Sequence, residues 1–305
     1  MHALAVPFLL VVGGLLAIQA AANVQLSASA GSPAGGATLQ LAVGSAALLL
    51  ATLVAGTLAA LGLLAHATPW HLVGGVASAL YISAGIVLFP RLGAVVTVGL
   101  FIAGQMLASL LIDTAGWLGV APRPASAAAV VGTVAVLGGA ATIVHAQGAG
   151  HAARRGGGWI LFAALAGAAL PVQGAINAQL RADLDAPVTA ALWSFVVATA
   201  VMAAVLGAFA ARGRAPAPRA AALRSVPWWG WLGGLCGATY VTSVFLLIPR
   251  IGVASTVALT VAGQQLASIL VDRHGWLRLP RRPVTPARLA GVAVLLAGVA
   301  LIRVA

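Results

Sequence analysis

Apolar residues fill most of the chain, and polar positions gather in short clusters that divide it into ten runs. The runs cover about residues 3–26, 37–65, 70–89, 93–118, 125–146, 158–181, 187–211, 226–248, 252–277 and 286–304. Pro, Gly and Arg mark the breaks between them. Each run is close to or above the roughly 20 apolar residues that cross the hydrocarbon once, so each predicts a transmembrane helix. The first run lacks a basic start and is too long for a signal-peptide core, so it reads as a helix of the mature chain. Two polar stretches predict true loops: 145–158, with Arg154 and Arg155, and 211–227, with Arg212, Arg214, Arg219 and Arg224. The first is the natural division between two halves.

Composition agrees with this pattern. Of 305 residues, 62% are hydrophobic and only 7% charged, far below the roughly 25% of a soluble domain. The bilayer must therefore be the main solvent. Net charge is +12 and all 16 basic residues are Arg, placed almost wholly in the breaks. That placement is a topology signal, not the one-sided basic patch of a nucleic-acid binder. Cys236 stands alone within an apolar run, and the six His show no metal-ligand spacing. No catalytic arrangement of side chains appears, so neither an enzyme nor a cofactor is expected.

The runs repeat. Phe89-Pro90-Arg91-Leu92-Gly93 returns as Ile248-Pro249-Arg250-Ile251-Gly252, and Ala103-Gly104-Gln105 returns as Ala262-Gly263-Gln264. Asp113 followed by Gly116-Trp117-Leu118 returns as Asp272 followed by Gly275-Trp276-Leu277. All share an offset of 159, and 17 of the 29 positions over 90–118 are identical, which shared apolar composition does not produce. Gln19 and Asn23 match Gln173 and Asn177 at a slightly smaller offset.

The expected fold is therefore an all-α integral membrane protein of ten transmembrane helices. It comprises a first five-helix repeat over 1–147, a linker over 148–157 and a second repeat over 158–305. Five is odd, so the second copy enters the membrane from the other side, which makes an inverted repeat. With the N-terminus on one side, twelve Arg fall opposite it and four beside it. The positive-inside rule then places both termini outside.

Uncharged polar residues inside spans are costly unless partnered, so each is a candidate. Gln19 and Asn23 share one helix face, as do Gln173 and Asn177. Pro171 should loosen the sixth helix just before the second pair. Gln105 with Ser109, and Gln264 with Ser268, repeat the same spacing, while Tyr81 and Tyr240 lie within the third and eighth spans. Each of these side chains reads either as interhelical glue or as part of a transport site. The chain has no Glu, and its four Asp lie toward helix ends. Asp113 and Asp272 read either as helix-end carboxylates bonded to amides or Arg, or as gate or coupling groups. Asp183 and Asp185 read as solvated loop residues. The Gly pairs lack the strand and Lys of a phosphate loop and fit close helix packing.

The Gln173-x-x-x-Asn177-Ala178-Gln179-Leu180 stretch, the Pro-Arg-x-Gly turns and the Gly-Gln-x-x-Ala-Ser…Asp…Gly-Trp blocks resemble the YdcZ-type branch of the drug/metabolite transporter (DMT) superfamily. In that branch five-helix units occur singly, in oppositely oriented pairs, or fused; this chain resembles the fused form. The resemblance covers nearly the whole chain and implies a ten-helix carrier of the bacterial inner membrane. One departure matters: small four-helix multidrug members of the superfamily exchange protons through an embedded Glu, and this chain has none.

The expectation is a secondary transporter, an exporter of small metabolites or drugs working by alternating access. Gln19, Asn23, Gln173 and Asn177 would bind solute, and Tyr81, Tyr240, Gln105 and Gln264 would shape the cavity. A small-molecule solute and membrane lipids are the expected partners, and nucleic acid is not. A monomer suffices, and a homodimer stays open. A channel would need a polar stripe along a whole pore, whereas these residues cluster. A non-transporting scaffold or lipid-interacting protein would show no solute-dependent stabilisation.

Overall fold

Uninterrupted apolar runs leave the backbone no partner but itself in lipid, and the chain answers with helices throughout. The computed structural model describes residues 2–92, 94–146, 157–213, 220–278, 281 and 284–304. The first half holds α1 (His2–Ala30), α2 (Pro33–Val54), α3 (Gly74–Leu92), α4 (Ala94–Ala115) and α5 (Ala127–Ala146). The second holds α6 (Gly157–Gly167), α7 (Ala169–Leu184), α8 (Pro187–Ala211), the short α9 (Ala220–Leu223), α10 (Leu232–Ile251), α11 (Val253–His274) and α12 (Pro286–Val304). Among the described residues nine helices are long and apolar enough to cross a membrane, and a tenth, over Pro286–Ile302, is apolar but shorter. Most of the expected linker, 148–156, lies outside the described residues.

Local chemistry sets the breaks. Ser32 caps α2, its hydroxyl accepting from the Gly35 amide at 3.0 Å, with Pro33 at the first helical position. The sixth span is interrupted at Ala168, three residues before Pro171, which has no amide to extend the helical ladder. This is the expected loosening. The second span departs from the reading: the apolar run to 65 does not stay α-helical. The α2 helix stops at Val54, Gly56 turns with φ +67°, and Leu58–Ala65 forms 3-10 turns. Both Gly-Trp-Leu blocks adopt the same unusual backbone, with Leu118 and Leu277 each at φ 57°. Trp117 and Trp276 are 57% and 53% exposed, as interfacial anchors should be.

The halves interlock. The α1 helix packs on α10 and α11, while α6 and α7 pack on α4 and α3, α2 lies on α8 and α5 on α12. The repeat numbering survives in these contacts. Gly13 abuts the Thr260 backbone and Gly167 abuts its repeat equivalent, Phe101; Gly263 abuts Leu10 and Gly104 abuts Ala164. Ser45 and Thr199, also equivalent, hydrogen-bond each other at 3.0 Å, as residues on a pseudo-twofold axis can. Gly132 meets Gly298 and Gly139 meets Gly291, so α5 and α12 run antiparallel. Small residues at these crossings let backbones touch, which supplies the packing that lipid-immersed helices need.

Candidate functional site

Two polar patches form where the first helix of each half meets the other half. In the first, Gln19 and Asn23 of α1 stand beside Gln40 of α2, facing Gly233 and Gly237 around the start of α10. A methyl group on Gly233 would lie 2.7 Å from Asn23 Oδ1, and one on Gly237 would lie 2.9 Å from Gln19 Nε2 and 3.5 Å from Gln40 Nε2. Glycine thus opens the α10 backbone to the amides. In the second patch, Asn177 Nδ2 of α7 donates to Ser194 Oγ of α8 at 3.0 Å, and Gln173 Nε2 approaches the same oxygen at 3.5 Å. Asn177 Oδ1 rests against Gly74, the repeat equivalent of Gly233.

Five buried side-chain atoms among the described residues lack a hydrogen-bond partner, and three belong to these patches: Asn23 Oδ1, Gln40 Nε2 and Asn177 Oδ1. An unsatisfied buried polar group costs about 1–3 kcal/mol, which makes these three atoms candidates to meet a bound group. Together they present two acceptors and one donor, without formal charge. Each Asn lies seven residues from the end of its helix, about 10 Å in, but from opposite faces; each Gln lies about 16 Å in, near the midplane. The first-helix amides of the two halves thus lie in two patches, set in from opposite ends of the bundle.

Gln40 and Ser194 escaped the sequence reading. They are equivalent under the same offset of 154 that relates Gln19 to Gln173. An amide paired with a hydroxyl looks unlike a repeat, and only that offset signals it.

The remaining candidates lie elsewhere. Gln105 is 4% exposed and Gln264 half-buried, and their helix neighbours Ser109 and Ser268 donate to the Met106 and Gln264 carbonyls of the preceding turn at 2.9 and 2.7 Å. Tyr81 stacks obliquely on Phe101 with ring centres 4.6 Å apart, and Tyr240 bonds the equivalent Thr260. No hydrogen bond joins these groups to the amide patches among the described residues.

Asp113 ends α4 with its carboxylate across the start of α11, Oδ1 accepting from the Val253 amide at 2.8 Å and Oδ2 from the Ala254 amide at 2.7 Å. A helix N-terminus offers such unpaired amides and a favourable dipole. Arg123, close by, donates to the Arg250 carbonyl at 3.2 Å. Asp272 instead takes Arg288 Nη2 at 2.8 Å, and the residue equivalent to Arg288 is Ala129. Asp183 is not the solvated loop residue expected: it belongs to α7 and is paired with His71 Nδ1. Arg91 lies 4.7 Å over the Trp159 ring, an anchoring contact.

Together these features define a polytopic helical membrane protein with paired intramembrane polar patches. The chain belongs to the DMT_YdcZ family, described as "Putative inner membrane exporter, YdcZ", whose profile matches twice, over residues 4–142 and 158–301. The protein is thus a multi-pass inner-membrane protein of an exporter family. No curated protein matches. A solved structure titled "Crystal structure of protein" shares the fold, with a TM-score of 0.66 at 19% identity over 99% of this chain and 96% of its own.

Proposed function

We propose that the chain is a secondary transporter that moves a small uncharged or zwitterionic solute by alternating access between its two polar patches. The three unpartnered amide atoms carry this reading, because symmetry-related patches near opposite faces suit a solute handed from one to the other. Gln19, Asn23 and Gln40 form one half-site, and Gln173, Asn177 and Ser194 the other. Tyr81, Tyr240, Gln105 and Gln264 shape the path between them. The twelve-to-four Arg bias supports both termini lying outside, and the family's outward direction would then run toward the face that carries them. The lack of Glu and of a mid-span acid argues against a cation as cargo.

The test is a thermal-stability screen of the purified protein. Uncharged and zwitterionic metabolites should include a solute that raises the melting temperature, by about 2.7 kcal/mol of linkage at a hundredfold excess over Kd. Lipophilic cationic drugs should not. Stabilisation by the cations alone would refute the assignment, and stabilisation by nothing would favour a scaffold.

A further inference from the structure

The connection between α2 and α3 has the length of a loop and the composition of a membrane span. The α2 helix has 22 residues, about 33 Å at 1.5 Å each, which already crosses the roughly 30 Å of hydrocarbon. Gly56, at φ +67°, then turns the chain, and Leu58–Ala65 continues as 3-10 helix. Eight residues at about 2 Å each reach only about 16 Å, too short to cross again. Pro69–Val73 then leads directly into α3. The segment therefore lies along the face where α2 ends and α3 begins, which is also the face from which α1 enters.

Its packing is one-sided. Thr57, Ala60, Leu64 and Ala67 are half-buried, at close to the three-residue period of a 3-10 helix. Ala60, Leu64 and Ala67 touch the core, and the Thr57 carbonyl accepts from Thr189 Oγ1 of α8 at 3.0 Å. None of the eight residues of the segment is buried, and Leu58 and Leu63 are 37% and 44% exposed. The exposed strip does not stop at the ends of the segment. Leu50 and Val54 continue it onto α2, and Trp70 and Val73 continue it toward α3. Both helices pack on α8, so the segment bridges the rim of the bundle over the α8 start.

Charge separates this connection from its twin. No Asp, Glu, Lys or Arg occurs in the chain before Arg91, whereas the equivalent connection, 212–227, carries Arg212, Arg214, Arg219 and Arg224. A connection solvated by water needs polar groups, and the second one has them. Both lead to an equivalent Trp, Trp70 and Trp229, the residue type that collects at the membrane–water boundary.

We infer that Leu58–Ala65 is an interfacial anchor, lying in the lipid leaflet on the face where α2 ends. Leu58 and Leu63 reach the acyl chains and Trp70 sits at headgroup level. Lipid is the occupant of this apolar strip because the strip is unbroken with the sides of α2 and α3 that the bilayer covers. Through Thr57 the anchor also fixes the start of α8 at the same depth. None of this depends on transport.

Spin-label depth measurements on the full chain, in vesicles of phosphatidylcholine and phosphatidylglycerol, test the anchor. The single Cys236 is replaced by Ala, the residue at the equivalent position 77. Nitroxides are then attached one at a time at Leu58→Cys, Gly62→Cys and Leu63→Cys. Collisions with oxygen should exceed those with a water-soluble nickel chelate, at a depth of about 5–10 Å below the headgroups. If the leucine variants fail to fold, Gly62 reads the depth alone, since a Cβ there meets nothing within 4 Å. Collisions dominated by the chelate would make the segment a solvated loop and overturn the anchor. Labels reached by neither reagent would mean that protein, such as a second copy of the chain, covers the strip, and would overturn it equally.

Discussion

Leucine at Gly139 is expected to abolish the folded protein, while leucine at the adjacent Gly138 leaves it unchanged. The two glycines sit side by side on α5 and differ only in what they face. A Cβ on Gly139 would lie 2.5 Å from the Gly291 carbonyl oxygen and 2.7 Å from the Leu295 amide nitrogen, both backbone atoms of α12. A Cβ on Gly138 meets nothing within 4 Å. Overpacking a core costs about 1–3 kcal/mol when side chains can shift, and here the obstacle is a helix backbone, which raises the cost. The symmetric contact of Gly132 with Gly298 lies two turns away on the same interface, so the helices cannot tilt apart at one end without losing the other. Detergent-solubilised monodisperse protein should fall at least about tenfold for Gly139→Leu, since a loss of 1.4 kcal/mol already shifts folding by that factor. Gly138→Leu should stay within about 0.5 kcal/mol of wild type. Equal melting temperatures for the two variants would mean that α5 and α12 do not pack as described.

The second large effect is on binding. Replacing Asn23 and Asn177 together by Leu should remove the solute's stabilising effect and reduce transport to background, with the fold retained. Both Asn Oδ1 atoms are buried without a partner, so the apolar replacement relieves a cost in the empty protein. Against that, Asn177 gives up its bond to Ser194 Oγ, worth about 1 kcal/mol. Net stability should therefore change little. The bound solute, by contrast, loses a polar partner in each patch, about 1–3 kcal/mol apiece, or thirtyfold and more together. A double variant that still transports at the wild-type rate would show that these amides are packing glue.

The sequence made the repeat and the helical membrane class legible, because each rests on local pattern or a fixed offset. Pro171 likewise announced the break at Ala168. What stayed hidden depends on the meeting of distant segments. His71 and Asp183 are 112 residues apart, and Asp183 alone reads as a solvated loop residue. Asp113 and Asp272 look like twins in sequence, yet one caps α11 and the other pairs with Arg288, because position 129 supplies no Arg. The end of α2 was also illegible: Leu58–Ala65 is as apolar as the helix before it, and hydropathy does not separate a 3-10 segment from an α-helix. The amide patches were half legible. The Gln-Asn pairs showed in the repeat, but Gln40 and Ser194, which complete them, did not.

The central claim is that an odd-numbered repeat inverts itself, and reporter topology tests it most directly. Reporters that are active on only one side of the membrane would be fused at the N-terminus, within 148–157 and at the C-terminus. Five crossings per repeat predict the two termini on the same side, outside, and the 148–157 insertion on the cytoplasmic side. Termini on opposite sides, or an insertion on the same side as both termini, would contradict the inverted repeat and with it the pairing of the two polar patches.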